Sequence, residues 1–145
     1  MRKTLIIIAC LLCFALGSFS TVAVMQWTRR IPSTATVKAV GVGVYKDVNF
    51  TVSVTQIDWG IVEPGESKNF SAYIVNKSNV PITLSMTTED WSPVNASSFI
   101  ALTWNYDGSE VAVDGYVFVT FVLTVDHAVS GIDAFSFTVV IVGSG

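Results

Sequence analysis

Hydrophobic and polar residues alternate through much of the chain after residue 47. In 48–57 the apolar side chains occupy every second position, so an extended chain places them on one face and the polar ones on the other. We predict a half-buried β-strand there. Segments with the same kind of pattern occur at 70–75, 81–86, 99–104, 116–125 and 135–142. No window after Arg30 has the 3.6-residue period of an amphipathic helix, so the pattern indicates an all-β domain.

Turn-forming residues separate the predicted strands. In the segment 63–66, Pro64 supplies a φ near −65° and Gly65 allows a positive φ. The segments 76–79 and 105–108 are similarly rich in Asn, Asp, Ser and Gly. Short strands between such turns favour an antiparallel two-sheet β-sandwich over alternating β and α units. We expect seven or eight strands in an Ig-like or jelly-roll-like arrangement.

The N-terminal thirty residues follow a different pattern. Arg2 and Lys3 precede a strongly apolar run at 5–16, and small and polar residues follow at 17–21. A charged start, an apolar centre and a small-residue end are the layout of a secretory signal. The segment is therefore predicted to direct export of the chain.

The same segment is also long enough to remain in a membrane. It is uncharged from 5 to 27, and a helix of that length spans the hydrocarbon core of a bilayer, about 30 Å. We therefore predict a hydrophobic helix in residues 1–30, either a signal peptide or a transmembrane anchor. Residues 31–145 are predicted to form one extracellular β-sandwich domain.

Charge and cysteine content narrow the possible partners of the domain. From residue 31 onward four lysines stand against all eleven acidic residues, so the net charge of this part is −7. Such a surface repels phosphate backbones, and we expect no nucleic-acid partner. Both cysteines, Cys10 and Cys13, precede the domain. The domain therefore has no disulfide and depends on its hydrophobic core, which is compatible with export at this length.

Four asparagines lie in Asn-x-Ser/Thr sequences: Asn49, Asn69, Asn76 and Asn95. This is the acceptor sequence for N-linked glycans, and glycans mark surface positions of exported proteins. Chance is the alternative explanation, because the chain is rich in Ser, Thr and Asn. We take all four as glycosylation candidates, and together they favour a cell-surface location.

The domain offers little catalytic chemistry. His127 is its one histidine, and no cysteine or second imidazole is present to complete a zinc site. No nucleophile elbow accompanies any serine. The carboxylates of Glu89 and Asp90, and those of Asp107 and Glu110, lack the alternating spacing of calcium loops. We expect no enzymatic activity, no cofactor and no metal, and we interpret these residues as solvated side chains of loops.

The tryptophans of the domain are possible platforms for stacking on a carbohydrate. Trp59 lies at a strand end and Trp104 lies within an apolar strand, so we predict core or core-edge positions for both. Trp91 lies in the polar segment 89–98, which we predict to be a loop. It is the one candidate for stacking on a ligand.

Several segments share the layout of a known group of proteins. A tryptophan-glycine pair and a proline-glycine turn precede a strand that ends in an Asn-rich hairpin. The segments are IDWGIVEPGES (57–67), YIVNKSNVPITL (73–84), WSPVNAS (91–97), LTWNYDG (102–108) and SGIDAFSF (130–137). In this respect the chain resembles small exported archaeal β-sandwich surface proteins related to TasA, camelysin and the bundling pilins. The resemblance implies a jelly-roll-like sandwich and assembly by donor-strand complementation.

We therefore expect a non-enzymatic cell-surface structural protein, with a filament subunit as the leading hypothesis. In 36–45 glycines leave one face of an extended strand narrow. Val40, Val42 and Val44 are accordingly donor-strand candidates for a groove in a neighbouring subunit. The alternative for this stretch is that it forms the first strand of the domain's own sheet.

Two other functions remain open at the level of the sequence. The first is a membrane-tethered monomeric module for adhesion or binding, with Trp91 near its ligand. The second, ranked last, is a small exported enzyme or metal protein that uses His127. The expected partners are other copies of this chain and, if the N-terminal helix is not cleaved, the membrane.

Overall fold

The structure is a computed structural model that describes residues 29–145. The hydrophobic helix predicted in residues 1–30 therefore lies outside the described residues, apart from Arg29 and Arg30. Within the described range no helix is long and apolar enough to cross a membrane. The strands are β1 (Ile31–Val40), β2 (Val42–Tyr45), β3 (Gln56–Val62), β4 (Ser67–Asn76), β5 (Thr83–Ser92), β6 (Ile100–Trp104), β7 (Tyr116–Val125) and β8 (Phe135–Ser144). A short 3-10 helix, Val94–Ser98, joins β5 to β6.

The eight strands form two four-stranded sheets, as the alternating pattern predicts. Sheet A has the order β3-β1-β8-β5, and sheet B has the order β2-β4-β7-β6. All neighbouring strands are antiparallel except β1 and β8, which run parallel from Ser33 beside Phe135 to Val40 beside Val142. The prediction of a purely antiparallel sandwich is therefore wrong for sheet A. Turn signals report only on strands that follow each other along the chain, whereas β1 and β8 are the first and last strands of residues 29–145.

The core lies between the two sheets and is built by alternate residues of each strand. In β7 the inward side chains of Val119, Phe121 and Leu123 are almost completely buried. In β8 the inward positions begin with Phe135 and Phe137 and continue in the same register. Full burial of one such side chain contributes about 1.5–3 kcal/mol. A disulfide-free domain thus obtains its stability from this double layer.

Five of the strand predictions are confirmed, and the predicted turn at 63–66 is present. The N–H of Glu66 donates to the carbonyl of Glu63 at 3.0 Å, and Gly65 has a φ of +78°. The carboxylate of Glu66 also accepts a hydrogen bond from the N–H of Glu63 at 2.8 Å. This bond, ahead of the contribution of Lys68, holds the pKa of Glu66 below its usual range. The turn joins β3 in sheet A to β4 in sheet B.

The strand predicted at 48–57 is wrong over most of its length, because β3 begins only at Gln56. Val48 and Val52, which the pattern places on a buried face, are each about half exposed, at 53% and 52%. Phe50 has a φ of +57°, which no regular strand contains. The alternation here belongs to a loop, 46–55.

The side chain of Asp47 organises this loop. Its Oδ1 accepts hydrogen bonds from the backbone N–H groups of Thr51 at 2.9 Å and Val52 at 2.8 Å, and its Oδ2 accepts one from the Thr51 hydroxyl at 2.6 Å. A short acidic side chain that binds the backbone a few residues later competes with strand pairing. The hydrogen bond with the Thr51 side chain is the largest cause that lowers the pKa of Asp47.

Candidate functional site

The N-terminal strand β1 occupies the middle of sheet A. On one side it pairs antiparallel with β3, from Ile31 beside Val62 to Thr36 beside Gln56. On its other side it pairs parallel with β8. Its inward residue Ala35 is 1% exposed. The strands β3 and β8 do not pair with each other, and each of them pairs with β1. β1 therefore supplies the backbone hydrogen bonds that join β3 to the rest of sheet A, and it also supplies part of the core.

A single residue, Gly41, separates β1 from β2. Its φ of +73° turns the chain from sheet A into sheet B, and its carbonyl accepts a hydrogen bond from the N–H of Lys77 at 3.1 Å. β2 then pairs with β4, from Val42 beside Asn76 to Tyr45 beside Tyr73. The stretch 36–45 is therefore two strands in two sheets, and not one continuous strand.

The three donor-strand candidates consequently lie in different surroundings. Val40 is 47% exposed at the end of β1, whereas Val42 and Val44 are buried in the core through β2. The free edge of β2 is covered by the loop 46–55, because the N–H of Val54 donates to the carbonyl of Val44 at 2.8 Å. The residues of β1 that are buried between β3 and β8 are Ile31, Ser33 and Ala35.

The four glycosylation candidates also separate in the structure. Asn49, in the loop 46–55, is exposed. Asn69, in β4, and Asn95, in the 3-10 helix, are exposed as well. Asn76, at the end of β4, is completely buried.

Asn76 holds together the backbone at one end of the sandwich. Its Nδ2 donates to the carbonyls of Val80 at 2.8 Å, Val111 at 3.1 Å and Ala112 at 3.2 Å. Its Oδ1 accepts hydrogen bonds from the backbone N–H and the hydroxyl of Ser78. The amide thus bridges the β4–β5 connection and the segment before β7. This burial leaves no room for a glycan at Asn76 in the folded domain.

The tryptophans contribute mainly to the core. Trp59 is 5% exposed, and Trp104 is half-buried with its ring stacked on Phe121. Trp91 lies in β5 and not in a loop, so that part of the prediction is wrong. Its ring stacks on Phe137 with centroids 4.3 Å apart, and this contact covers one face of the indole. A ligand would therefore have only the opposite face of Trp91 available.

The residues considered for catalysis or metal binding are not brought together. His127 is exposed, and its ring lies against Gly65 in the β3–β4 turn. In residues 29–145 no group of three or more His, Cys, Asp or Glu side chains is arranged to hold a metal ion. Hydrogen bonds with Ser109, first its side chain and then its backbone, lower the pKa of Asp107, so this carboxylate stabilises a turn.

The structure also contains an aromatic patch on the outer face of sheet B, which the sequence analysis missed. We define the aromatic patch as Tyr45, Phe50, Tyr73, Tyr116 and Phe118. The ring centroids of Phe50 and Tyr116 are 5.3 Å apart, and those of Tyr73 and Phe118 are 4.8 Å apart. Tyr45 lies 5.6 Å from Phe50 at the side of the patch. The signal in the sequence is that aromatic residues occupy outward positions of β4 and β7, between buried ones.

The aromatic patch combines packed and open rings. Tyr116 is 52% exposed and Phe118 is 51% exposed. Val75, which alternation places on the same face, is only 4% exposed, so the surrounding side chains shield it. The Nζ of Lys77 lies 5.4 Å from the centroid of the Tyr45 ring, within the range of a cation–π interaction. Contiguous exposed apolar surface of this kind marks an interaction site more often than isolated exposed residues do.

Comparison with protein-family models found no match, and no curated protein matched the chain. The function is therefore inferred from the geometry of the molecule. Two features suggest a function. One is β1, which pairs with β3 on one side and β8 on the other, and the second is the aromatic patch.

Proposed function

We propose that this protein is a non-enzymatic structural protein of the cell surface that assembles into filaments by donating β1 to a neighbouring subunit. The observation that carries this proposal is the position of β1. It is the first strand of the described chain, it lies between β3 and β8, and it connects to the next strand through the single residue Gly41. The layout shared with TasA-related fibre subunits supports the same proposal.

Exchange of β1 conserves the interactions that it makes. If Gly41 adopts an extended conformation, β1 continues in line with β2 and projects from the body of the domain. A neighbouring subunit then offers β1 the same ladder partners and the same apolar positions for Ile31 and Ala35. Domain swapping has a low cost because the interactions that β1 makes within its own chain form again between chains.

A subunit whose own β1 has left the groove is expected to bind the β1 of a neighbour. Removal of β1 leaves the facing edges of β3 and β8 with unpaired backbone groups and opens the core at the position of Ala35. Unpaired buried N–H and C=O groups are costly, so the groove favours occupation by another strand. A chain in which each subunit fills the groove of the next is an open, head-to-tail assembly.

The proposed location is the cell surface, with the domain outside the membrane and the protein either anchored or secreted. The signal-like layout of the N-terminal residues supports export. Three of the four sequons, those of Asn49, Asn69 and Asn95, have exposed asparagines. The negative charge of the domain suits a soluble extracellular surface.

A membrane-tethered monomeric adhesion or binding module is the second candidate function. Two observations favour it: β1 pairs within its own chain, and the aromatic patch is open to solvent. In this case the ladder of β1 is permanent, and the exposed rings of Tyr116 and Phe118 contact the partner.

A disulfide between β1 and β8 distinguishes the two candidates. Thr36 and Thr138 are register partners, and the alternation of both strands places them on the outer face of sheet A. Neighbouring strands have the Cα separation that a disulfide requires, and the domain contains no other cysteine. The variant Thr36→Cys/Thr138→Cys, oxidised after assembly, is expected to form covalent ladders between subunits on a non-reducing gel. Oxidation before assembly is expected to hold β1 against β8 of its own chain and so to block polymerisation.

The matched control replaces Ser71 and Thr120, which are partners on β4 and β7. These strands are not exchanged, so Ser71→Cys/Thr120→Cys should cross-link only within a chain. If the β1–β8 pair also cross-links only within chains at every protein concentration, and the exported protein forms no fibres, the filament proposal fails and the monomeric module becomes the better account.

A further inference from the structure

We propose that Asn49 and Asn69 carry N-linked glycans that lie across the aromatic patch and shield it from solvent. The proposal depends on the extracellular placement given above, but not on filament formation. It names the occupant of the patch as the protein's own oligosaccharides, which are attached at two positions beside it.

The aromatic patch holds the large exposed apolar side chains on the outer face of sheet B. Tyr116 and Phe118 each expose about half of their area, at 52% and 51%. They adjoin Phe50 and Tyr73, so the exposed rings form one continuous surface. Contiguous apolar surface of this kind promotes association unless a partner or a polar cover occupies it.

Asn69 lies on the same face of β4 as the patch. Residues two apart along a strand share a face, so Asn69, Ser71 and Tyr73 all point outward, whereas Ala72 and Ile74 are buried. Four residues along the strand correspond to about 13 Å, which a glycan of a few sugars can reach.

The surface between Asn69 and the patch is small and polar. The register places Ser71 beside Thr120 and Tyr73 beside Phe118, and the hydroxyls of Ser71 and Thr120 are 2.8 Å apart. No large side chain from these two positions stands between the attachment point and the rings. β2 pairs with β4 only from Tyr73 onward, so it does not cover the side of Asn69.

Asn49 is the chain neighbour of Phe50, which belongs to the aromatic patch. It is exposed in a turn that is closed by a hydrogen bond from the N–H of Phe50 to the carbonyl of Asp47 at 3.1 Å. Phe50, the next residue, packs its ring on Tyr45 and Tyr116. A glycan on Asn49 therefore starts beside the patch and not at a distance from it.

Sugars and aromatic rings are complementary in their surfaces. The flat face of a pyranose carries C–H groups with partial positive charge, and the face of an aromatic ring carries negative charge from its quadrupole. A sugar that stacks on Tyr116 or Phe118 leaves its hydroxyl groups directed to water. The glycan thus converts an apolar area into a polar one, which is the solubilising effect of N-glycosylation.

The other two sequons, at Asn95 and Asn76, are not placed to cover the aromatic patch. Asn95 is exposed, but it lies in the 3-10 helix that leads into β6, where Ile100 pairs with the last residue of β7, Val125. Tyr116 is the first residue of β7, at the opposite end of that strand. Asn76 is buried and offers no attachment point.

The test uses the exported protein purified from a glycosylating host. Glycopeptide mass spectrometry is expected to find glycans at Asn49 and Asn69 and none at Asn76. The variant Asn49→Gln/Asn69→Gln is expected to bind the dye 8-anilinonaphthalene-1-sulfonate about threefold or more strongly, because the patch is uncovered. The control Asn95→Gln removes the third exposed sequon, which lies away from the patch, and is expected to leave dye binding unchanged. Circular dichroism and thermal unfolding confirm that each variant is folded.

A second pair of changes ties the dye signal to the patch. Adding Tyr116→Ser and Phe118→Ser to the glycan-free variant should return dye binding to the level of the glycosylated protein. The proposal is overturned if Asn49 and Asn69 are unoccupied, or if their removal leaves dye binding unchanged. Occupancy of Asn95 alone would leave the exported location standing while refuting the shield, and the disulfide experiment reports on filaments separately.

Discussion

The imidazole ring of His127 lies against Gly65, in the position where a β-carbon at that glycine would project. Gly65 has a φ of +78°, and its N–H donates to the carbonyl of Val125 at 2.9 Å. The contact joins the β3–β4 turn to the connection between β7 and β8. The histidine that the sequence offers as its best candidate for chemistry thus packs on a turn.

A first prediction follows for this contact. Gly65→Ala is expected to destabilise the domain by about 1–3 kcal/mol. The new side chain would be strained at a positive φ, and its β-carbon would collide with the ring of His127. His127→Ala alone should change the free energy of unfolding by less than about 0.5 kcal/mol. In the double variant the collision is gone and only the backbone strain remains, so part of the loss is recovered. Urea unfolding of the four proteins measures this coupling, and strictly additive effects would contradict this prediction, since they would mean that the exposed ring of His127 moves aside at little cost.

A second prediction concerns the loop 46–55. Because hydrogen bonds from Thr51 and Val52 lower the pKa of Asp47, the folded loop favours the ionised carboxylate. The stabilisation is therefore present above the usual carboxyl range, near pH 4, and is lost as the pH falls through the lowered pKa. Thr51→Val, which removes the hydroxyl, is expected to raise the pKa of Asp47 in a carbon-13 NMR titration. An unchanged titration midpoint would show that the side-chain hydrogen bond is not formed in solution.

The same loop gives a third prediction. Asp47→Ala is expected to accelerate amide hydrogen exchange at Thr51 and Val52, because both N–H groups lose their acceptor. The core strand β7 should keep its protection, since the loop lies at the edge of sheet B. Equal acceleration throughout the domain would mean that Asp47 supports the whole fold and not the loop.

A fourth prediction concerns Asn76. Asn76→Ala removes the three hydrogen bonds that Nδ2 donates to carbonyls and leaves the backbone N–H of Ser78 without its acceptor, and it is expected to cost about 1–3 kcal/mol, as is usual for a buried polar group left unpaired. Asn79→Ala, at an exposed position three residues later, is the matched control and should be nearly neutral. A similar small effect for both variants would place the side chain of Asn76 in solvent and restore it as a glycosylation candidate.

A fifth prediction tests the disulfide-free core. Leu123 is completely buried in β7, and Leu123→Ala is expected to destabilise the domain by about 2–5 kcal/mol. Val122→Ala, on the outer face of the same strand, should cost markedly less. Denaturant unfolding gives both values, and the reverse order would indicate that β7 has the opposite register.

The local pattern of apolar and turn-forming residues was sufficient to predict most of the strands. The prediction for 116–125 matches β7 residue for residue, because the segment is rich in β-branched and aromatic residues and turn residues bound it on both sides. The strand prediction was wrong at 48–57, where apolar and polar residues alternate but Asp47 binds the backbone N–H groups of Thr51 and Val52. Periodicity records which side chains are apolar, and it does not record a carboxylate that competes for backbone N–H groups.

The sequence by itself determined that the domain is all-β, free of disulfides and layered in two sheets, because each of these follows from composition or from neighbours along the chain. Tertiary structure alone decided that β1 lies beside β8, that Gly41 divides 36–45 between two sheets, and that Asn76 is buried. It also assembled the aromatic patch from β2, β4, β7 and a loop. Contacts between residues distant along the chain leave no periodic trace in the sequence, since they depend on how strands are ordered across a sheet.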